Sequence, residues 1–260
     1  MRLRILMVTD SYPPLIGGAT RDTQLLSKEL VRRGYAVDVA TVGQPGLPAE
    51  EDDAGVRVHR IEGLTARFSS DPHRRHHPPV PDPATVWKVH RLIANVQPDI
   101  VHSYGWITYS CAAALLRIPI PLLVSIRDYS NICAIRTFMH QESRGEEICS
   151  GPAPRKCVVC AERYYDSVPK TMASVGGVFS GQALLRYRVQ GFHYCSAYVQ
   201  GIIRRDLLAG RGVNRYAAGR PLVERVIPGF AMIASMAHRM KRSCAACRPS
   251  HLSSSSAPYV

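Results

Sequence analysis

"RILMVTDSYPPLIGGATRDTQLLSKELVRRGYAVDVATV", residues 4–42, holds one complete structural unit. Arg4 to Thr9 is an apolar run of strand length. From Thr20 to Arg33 the spacing changes: Leu26 and Leu30 stand four apart, with Leu25 and Val31 flanking the same stripe, which predicts an amphipathic helix. Arg32 and Arg33 suit the negative end of that helix's dipole, Gly34 ends it, and YAVDVATV follows as a second strand. Between strand and helix the chain runs through Pro13 and Pro14 to Gly17 and Gly18. Two residues without side chains, beside a helix N-terminus, let a sugar or phosphate reach the main-chain N–H groups; a loop that needs left-handed glycines explains the same pair.

The alternation continues down the chain. VRVHRI (56–61) reads as a strand, and Ala84 to Val96 as a helix with Val86, Val89 and Ile93 in register. PDIVHS is a strand, ITYSCAAALLR a helix, and IPIPLLVSIRD another buried strand. After residue 166 come a helix with glycine interruptions (ASVGGVFSGQALLRYRVQ), a short strand (GFHYCS), a helix (AYVQGIIRRDLLAGRG) and a last strand in VERVIPG, 223–229. Strands that are almost continuously apolar, alternating with helices, predict an α/β fold: a Rossmann-like doubly wound parallel sheet in a single domain over residues 1–229. Ligands of such sheets collect at the carboxyl ends of the strands. Two segments interrupt the pattern, a polar proline-rich loop at 63–83 and a cysteine-containing insertion at 129–166, expected to have little structure of its own. Residues 230–260 contain no acid and end in a serine run, and are expected to form a disordered basic tail.

The chain has 260 residues, is 46% hydrophobic and carries a net charge of +13, which fits a globular protein that meets phosphates, anionic lipid or nucleic acid. The apolar run before Asp10 is too short for a signal peptide and no stretch is long enough to span a bilayer, so the expected location is the cytoplasm. There, eight cysteines point to metal ligation or buried thiols rather than to disulfides. Neither G-x-G-x-x-G nor G-x-x-x-x-G-K-[ST] is present.

The stretch at 4–42, followed by QPDIVHSYG and PLLVSIRDYSNIC, resembles the amino-terminal, acceptor-side domain of glycosyltransferase family 4, retaining GT-B enzymes that transfer sugars from nucleotide-sugar donors. The resemblance covers most of residues 3–229, and ERVIPG is similar to the family's last strand before the interdomain linker. It implies two Rossmann-like domains facing each other across a cleft, a nucleotide sugar as co-substrate, and a glycan, lipid-linked or small-molecule acceptor. It further implies that Gly17 and Gly18 line the cleft, that His102 contacts the donor sugar, and that Asp128 is the acid of a His-Asp pair with Arg127 in the place of the histidine. Arg127 and Tyr104 join Gly17 and Gly18 as expected substrate contacts. The residues alone also allow His102 to be a satisfied core histidine and Asp128 a turn or helix cap. Positive groups that neutralise the departing diphosphate come, in that family, largely from the second domain, with its pair of glutamates separated by seven residues; no such pair occurs here. The chain is therefore expected to be inactive alone, either because the tail stands where a second domain would be or because a separate donor-binding domain completes it.

Cys133, Cys149, Cys157 and Cys160 end in the hook CVVC, whose two thiols can grip one tetrahedral zinc, with the earlier pair completing a structural site; free buried thiols or a redox pair are the other readings. No cofactor is needed for the chemistry itself. Arg186, Arg188, Arg204, Arg205 and Arg211, interleaved with Leu184, Leu185, Ile202, Ile203, Leu207 and Leu208, predict either a basic amphipathic surface on the anionic inner membrane or ordinary solvated helix faces. The alternative from another class is a basic, zinc-stabilised nucleic-acid-binding module, for which no helix-turn-helix, RNA-binding sheet motif or paired finger is present.

Overall fold

The computed structural model describes residues 2–64, 77–142 and 145–208, together with the short strands at 216–217, 220–221 and 223–226. Most of the loop at 63–83, the whole tail at 230–260, Arg211 and the hook Cys244–Cys247 lie outside the described residues.

Eight strands form the main sheet: β1 (Arg4–Thr9), β2 (Ala36–Val42), β3 (Glu50–Asp53), β4 (Val56–Ile61), β5 (Ile100–Tyr104), β6 (Leu122–Ile126), β9 (Gly191–Tyr194) and β12 (Val223–Val226). Their order across the sheet is β12-β9-β6-β5-β1-β2-β4-β3, and every pairing is parallel except that of β3 with β4. The predicted doubly wound parallel sheet is present. Because successive strand residues point to opposite faces, β1 divides its side chains: Ile5 and Met7 enter one core with Leu26 and Leu30 of α1 (Gly18–Arg32), while Leu6 and Val8 enter a larger one on the other face. The larger core takes in α2 (Pro83–Val96), α3 (Ile107–Ala114), α5 (Val168–Arg188) and α6 (Ala197–Ile203), the last continued by a π-helical turn at Arg204–Leu208.

Local chemistry fixes the helix ends. Asp82 caps α2, its Oδ1 accepting from Thr85 N at 2.8 Å, with Pro83 at the first position. Gly34, at φ 88°, lets the chain leave α1 through the left-handed region. Arg32 and Arg33 do not face the helix end alone: each pairs with Glu29 one turn back, at 2.7 and 2.6 Å. Leu25, expected on the apolar stripe, is exposed; Thr23 and Ser27 complete the buried face instead, their hydroxyls turned back to the carbonyls of Ala19 and Thr23. The glycines of α5 are not interruptions, since a Cβ on Gly181 would lie 2.1 Å from the Tyr109 ring of α3.

The insertion at 129–166 is more ordered than expected. It contains the hairpin β7 (Met139–Glu142) and β8 (Gly145–Ile148) and the helix α4 (Pro154–Tyr165), which packs on α5 around Ala134, Ile135, Cys160, Ala161 and Val175. A second short pair, β10 (Tyr216–Ala217) and β11 (Arg220–Pro221), stands apart from the main sheet.

Of the residues expected on a basic amphipathic surface or a solvated helix face, Arg204 and Arg205 are exposed, while Arg188 and most of the apolar ones turn inward. Arg188 is 3% exposed and spends its guanidinium on the carbonyls of Leu115, Ile118 and Ile120 and on Gln190 Oε1. Arg186 donates to the Leu207 carbonyl, and Ile202, Ile203, Leu207 and Leu208 belong to the core. These arginines sit where backbone carbonyls without strand or helix partners collect, so their apolar neighbours face inward. Among the described residues, no helix is long and apolar enough to cross a membrane.

Candidate functional site

Parallel strands deliver their carboxyl ends to one edge of the sheet, and three of them deliver polar residues there. Asp10 follows β1 directly, Gly105 and Trp106 follow β5, and Arg127 and Asp128 follow β6. Asp10 is buried, and its two oxygens accept from the backbone N–H groups of Trp106 and Ile107 at 2.9 and 2.8 Å, so a carboxylate from β1 caps the first turn of α3. Gly105, at φ 72°, is required at this junction because a Cβ would stand 2.2 Å from Asp10 Oδ2.

A cation from the cysteine lobe closes the cluster. Arg136 donates to Asp128 Oδ2 through Nε at 3.1 Å and Nη2 at 2.8 Å, and its Nη2 lies 3.8 Å from Asp10 Oδ2. Its guanidinium carbon stands 4.9 Å from the centre of the Trp106 ring, whose Nε1 donates to the Ser130 carbonyl at 2.8 Å. Burial lowers the pKa of Arg136 but the two carboxylates outweigh it, and the cation is held. Asp128 also accepts from Ser130 N at 2.9 Å, the turn that the sequence allows for it. Beside this cluster Arg127 pairs with Asp22 of α1, which ties the end of β6 to the first turns of the helix that begins at Gly18.

The predicted site residues divide into two groups. Gly17, Gly18, Arg127 and Asp128 stand along the strand-end edge, joined through Asp22. Gly17 has φ 177°, an extended backbone open to any residue, and neither glycine occupies the left-handed region, so the conformational explanation for the pair does not apply. A Cβ on Gly18 would meet nothing within 4 Å, and the N-cap of α1, Gly17, has no side chain to bond the first N–H groups.

His102 and Tyr104 form the other group. The contact with the donor sugar that the resemblance implies for His102 does not match its place: β5 runs on through Ser103 and Tyr104, and His102 is 0% exposed inside the sheet, the core histidine that the residues alone also allow. Its Nε2 bonds Ser125 Oγ at 2.7 Å and its Nδ1 lies 3.3 Å from the Tyr104 hydroxyl; Ser125 Oγ bonds His193 Nδ1 at 2.7 Å. Burial, with His193 and Arg127 adding to it, depresses the His102 pKa well below the usual imidazole value. Tyr104 is likewise buried, and burial raises its phenol pKa. Their polar contacts are with each other, Ser125 and Arg127 rather than with an open surface. The hollow lined by Leu25, Lys28, Glu29, Arg32 and Arg33 lies toward the far end of α1, at the amino side of the sheet.

Asp10, Trp106 and Arg136 are functional candidates that the sequence reading did not name. For Asp10 the signal is there: it is a single acid directly after an apolar strand, as Asp128 is. Arg136 carries no such mark, because its reach depends on the left-handed backbone of Arg136 itself, φ 68°, and of Phe138, φ 58°. Of the cysteines, Cys133, Cys157 and Cys160 share the lobe's core and Cys149 lies against the main one. Among the described residues, no three His, Cys, Asp or Glu side chains stand close enough together to hold a metal ion.

The glycosyl transferase 4-like domain matches residues 17–205, most of the chain and all of the strand-end edge beyond Asp10. The chain belongs to this glycosyltransferase family. A curated relative, the uncharacterized glycosyltransferase MJ1607 of Methanocaldococcus jannaschii, is 33% identical over 124 residues, which make up 45% of this chain and 28% of that protein. Among solved structures, the sucrose-phosphate synthase of Thermosynechococcus elongatus superposes with a TM-score of 0.55 at 14% identity, covering 87% of this chain and 48% of that one. The chain thus spans about half the length, or less, of the glycosyltransferases it matches, and shares with the synthase a Rossmann-like domain fold.

Proposed function

We propose that this glycosyltransferase domain binds the acceptor half of a sugar transfer from a nucleotide sugar to a glycan, lipid-linked or small-molecule hydroxyl, with retention at the anomeric carbon. The observation that carries this is the edge formed by Gly18, Arg127 and Asp128, where a helix N-terminus with open space at Gly18 stands beside the Arg127–Asp22 pair and the partly exposed Asp128. Free N–H groups and Arg127 favour anionic oxygens, and the partly exposed Asp128 offers an acceptor for a sugar hydroxyl, oriented by Arg136 and Ser130. The buried row His102, Ser125 and His193 sits behind Arg127 and keeps the floor of the edge stiff rather than touching the sugar.

Transfer requires donor and acceptor held face to face, with positive charge on the leaving diphosphate. In this reading a donor-side domain supplies that charge, and this chain alone turns over slowly or not at all. The test is a transfer and hydrolysis assay over several nucleotide sugars, with and without a separately expressed donor domain. Turnover that appears only with the second domain supports the reading; ordinary enzyme rates from the chain alone overturn it. Gly18→Val provides a second check, since the added side chain enters open space and leaves the melting temperature unchanged. Saccharide affinity should fall about tenfold or more, a loss of roughly 1.4 kcal/mol; unchanged affinity in the folded variant removes the edge as the binding surface.

A further inference from the structure

The face of the sheet that α1 covers carries a polar row where parallel sheets ordinarily bury apolar side chains. Register places Tyr104, Ser125 and His193 side by side across β5, β6 and β9, and His102 lies two residues before Tyr104 on the same face. Met7, the register partner of His102, packs with α1, which identifies the face. His102 is 0% exposed, Tyr104 and Ser125 are 2% exposed, and His193 is half-buried. Of the four, His193 is the one that meets solvent.

Three hydrogen bonds join these side chains in series. Tyr104 Oη lies 3.3 Å from His102 Nδ1, His102 Nε2 lies 2.7 Å from Ser125 Oγ, and Ser125 Oγ lies 2.7 Å from His193 Nδ1. Each hydroxyl has one proton to give, and burial keeps His102 neutral, with a single N–H. Such a series has two consistent directions. In the first, the phenol donates to His102 Nδ1, His102 Nε2–H donates to Ser125, and Ser125 donates to a bare His193 Nδ1. In the second, every donor becomes an acceptor and His193 Nδ1 carries the hydrogen.

Arg127 decides between them. It stands two residues beyond Ser125, on the same face, and pairs with Asp22 of α1. Because β5 lies between β6 and β1, an arginine that reaches from the end of β6 to α1 passes over the end of β5, where Tyr104 is the last residue on that face. The guanidinium and the phenol interact there. A guanidinium only donates, so the phenol oxygen accepts from it and the phenol proton goes to His102, which is the first direction. In the second, His102 Nδ1–H competes for that oxygen, and Arg127, whose Nε has no hydrogen-bond partner, loses a hold.

We propose that His193 is a positioning residue: through Ser125, His102 and Tyr104 it sets the direction of this row and so holds the Arg127 guanidinium in place, a role that rests on the strand-end edge being the binding surface. A proton taken from water enters at Nδ1, the nitrogen facing Ser125, since Nε2 already carries one in the first direction. The row then reverses. His102 exchanges its Nε2 proton for one at Nδ1, each hydroxyl keeps one proton, and the row as a whole gains one. The charged and titratable neighbours of the row are Arg127 and Asp22 at the strand ends, Cys195 two residues beyond His193, and Arg225, its register partner on β12. Acid therefore loosens Arg127 from a distance.

The experiment uses the full chain with histidine and arginine labelled with nitrogen-15. Long-range proton–nitrogen correlation spectra report which ring nitrogen of each imidazole carries hydrogen. At pH 7.5 His102 and His193 should both carry it on Nε2; at pH 5.5 His193 should be doubly protonated and His102 should carry its hydrogen on Nδ1. The Arg127 Nε–H resonance should move with the His193 titration, and affinity for sulfate, whose charge is constant over this range, should fall about fivefold or more. His193→Asn offers Oδ1 where Nδ1 stood, an acceptor that takes no proton, so it should keep the sulfate affinity of pH 7.5 and lose the response to acid. Ser125→Ala should leave His193 titrating while His102 and Arg127 no longer follow. An unchanged His102 tautomer across the titration, or an acid response of Arg127 that persists in His193→Asn, overturns the proposal. Sulfate that binds at neither pH removes the edge as an anion surface, and the tautomers of the wild-type chain still judge the row.

Discussion

Asp10 shows how much one side chain can organise at a sheet edge. It caps α3, approaches Arg136 and fills the space that Gly105 leaves open. Gly105→Ala should therefore destabilise the fold by about 1–3 kcal/mol, because the new methyl group meets a buried carboxylate and the backbone sits in the left-handed region; a chemical denaturation midpoint measures it. The place of Asp128 just beyond an apolar strand was legible in the sequence, and the turn it caps at Ser130 is one of the uses the residues allowed. For His102 the residues alone allowed a core histidine, and the structure buries it two residues before the end of β5, bonded to Ser125. Arg136 was not legible, since its partners lie far away in sequence and its own backbone conformation aims it.

Among the elements, the apolar strands and the helices outside the 129–166 insertion were legible because each carries its period in its own residues, whereas α4 was not. β3 was not, for EEDD is poor strand sequence. Its support is non-local: Glu51 pairs with Arg60 at 2.7 Å, while Asp53 accepts from Tyr12 and Gln24 and pairs with Lys28 at 2.7 Å. Hydrogen bonds pull the Asp53 carboxyl below its ordinary pKa despite burial that raises it. The loop between α3 and β6 depends on Arg188, which satisfies three of its carbonyls and Gln190. Arg188→Met keeps much of the stem volume but removes its donors from the Ile118 and Ile120 carbonyls, while the Leu115 carbonyl and Gln190 Oε1 still accept from Ile118 N and Leu122 N, and should cost about 3 kcal/mol, read as a lowered unfolding midpoint. Gly181→Val, which drives a side chain into Tyr109, should loosen α5 from α3 and speed hydrogen exchange in both helices.

The whole molecule should lose stability on mild acidification. His77 and His102 are both buried, and burial lowers the pKa of each from 6.5, so the folded state favours neutral imidazole. Their contribution is complete above pH 6.5 and is lost as pH falls through the lower folded values. Each histidine costs about 1.4 kcal/mol per pH unit within that window. Melting temperatures measured from pH 7.5 to 5 should fall, and His102→Gln should flatten the decline. The two borders of the sheet differ in a way that reaches beyond one chain. An outermost strand normally offers its unpaired amides and carbonyls to any passing neighbour. Here Glu50 and Asp52 of β3 are exposed on that border, while Glu51 and Asp53 turn to Arg60 and Lys28, so a second copy approaching that side brings like charge against like charge at those two positions. That repulsion discourages fibre-like stacking of crowded molecules along the rim.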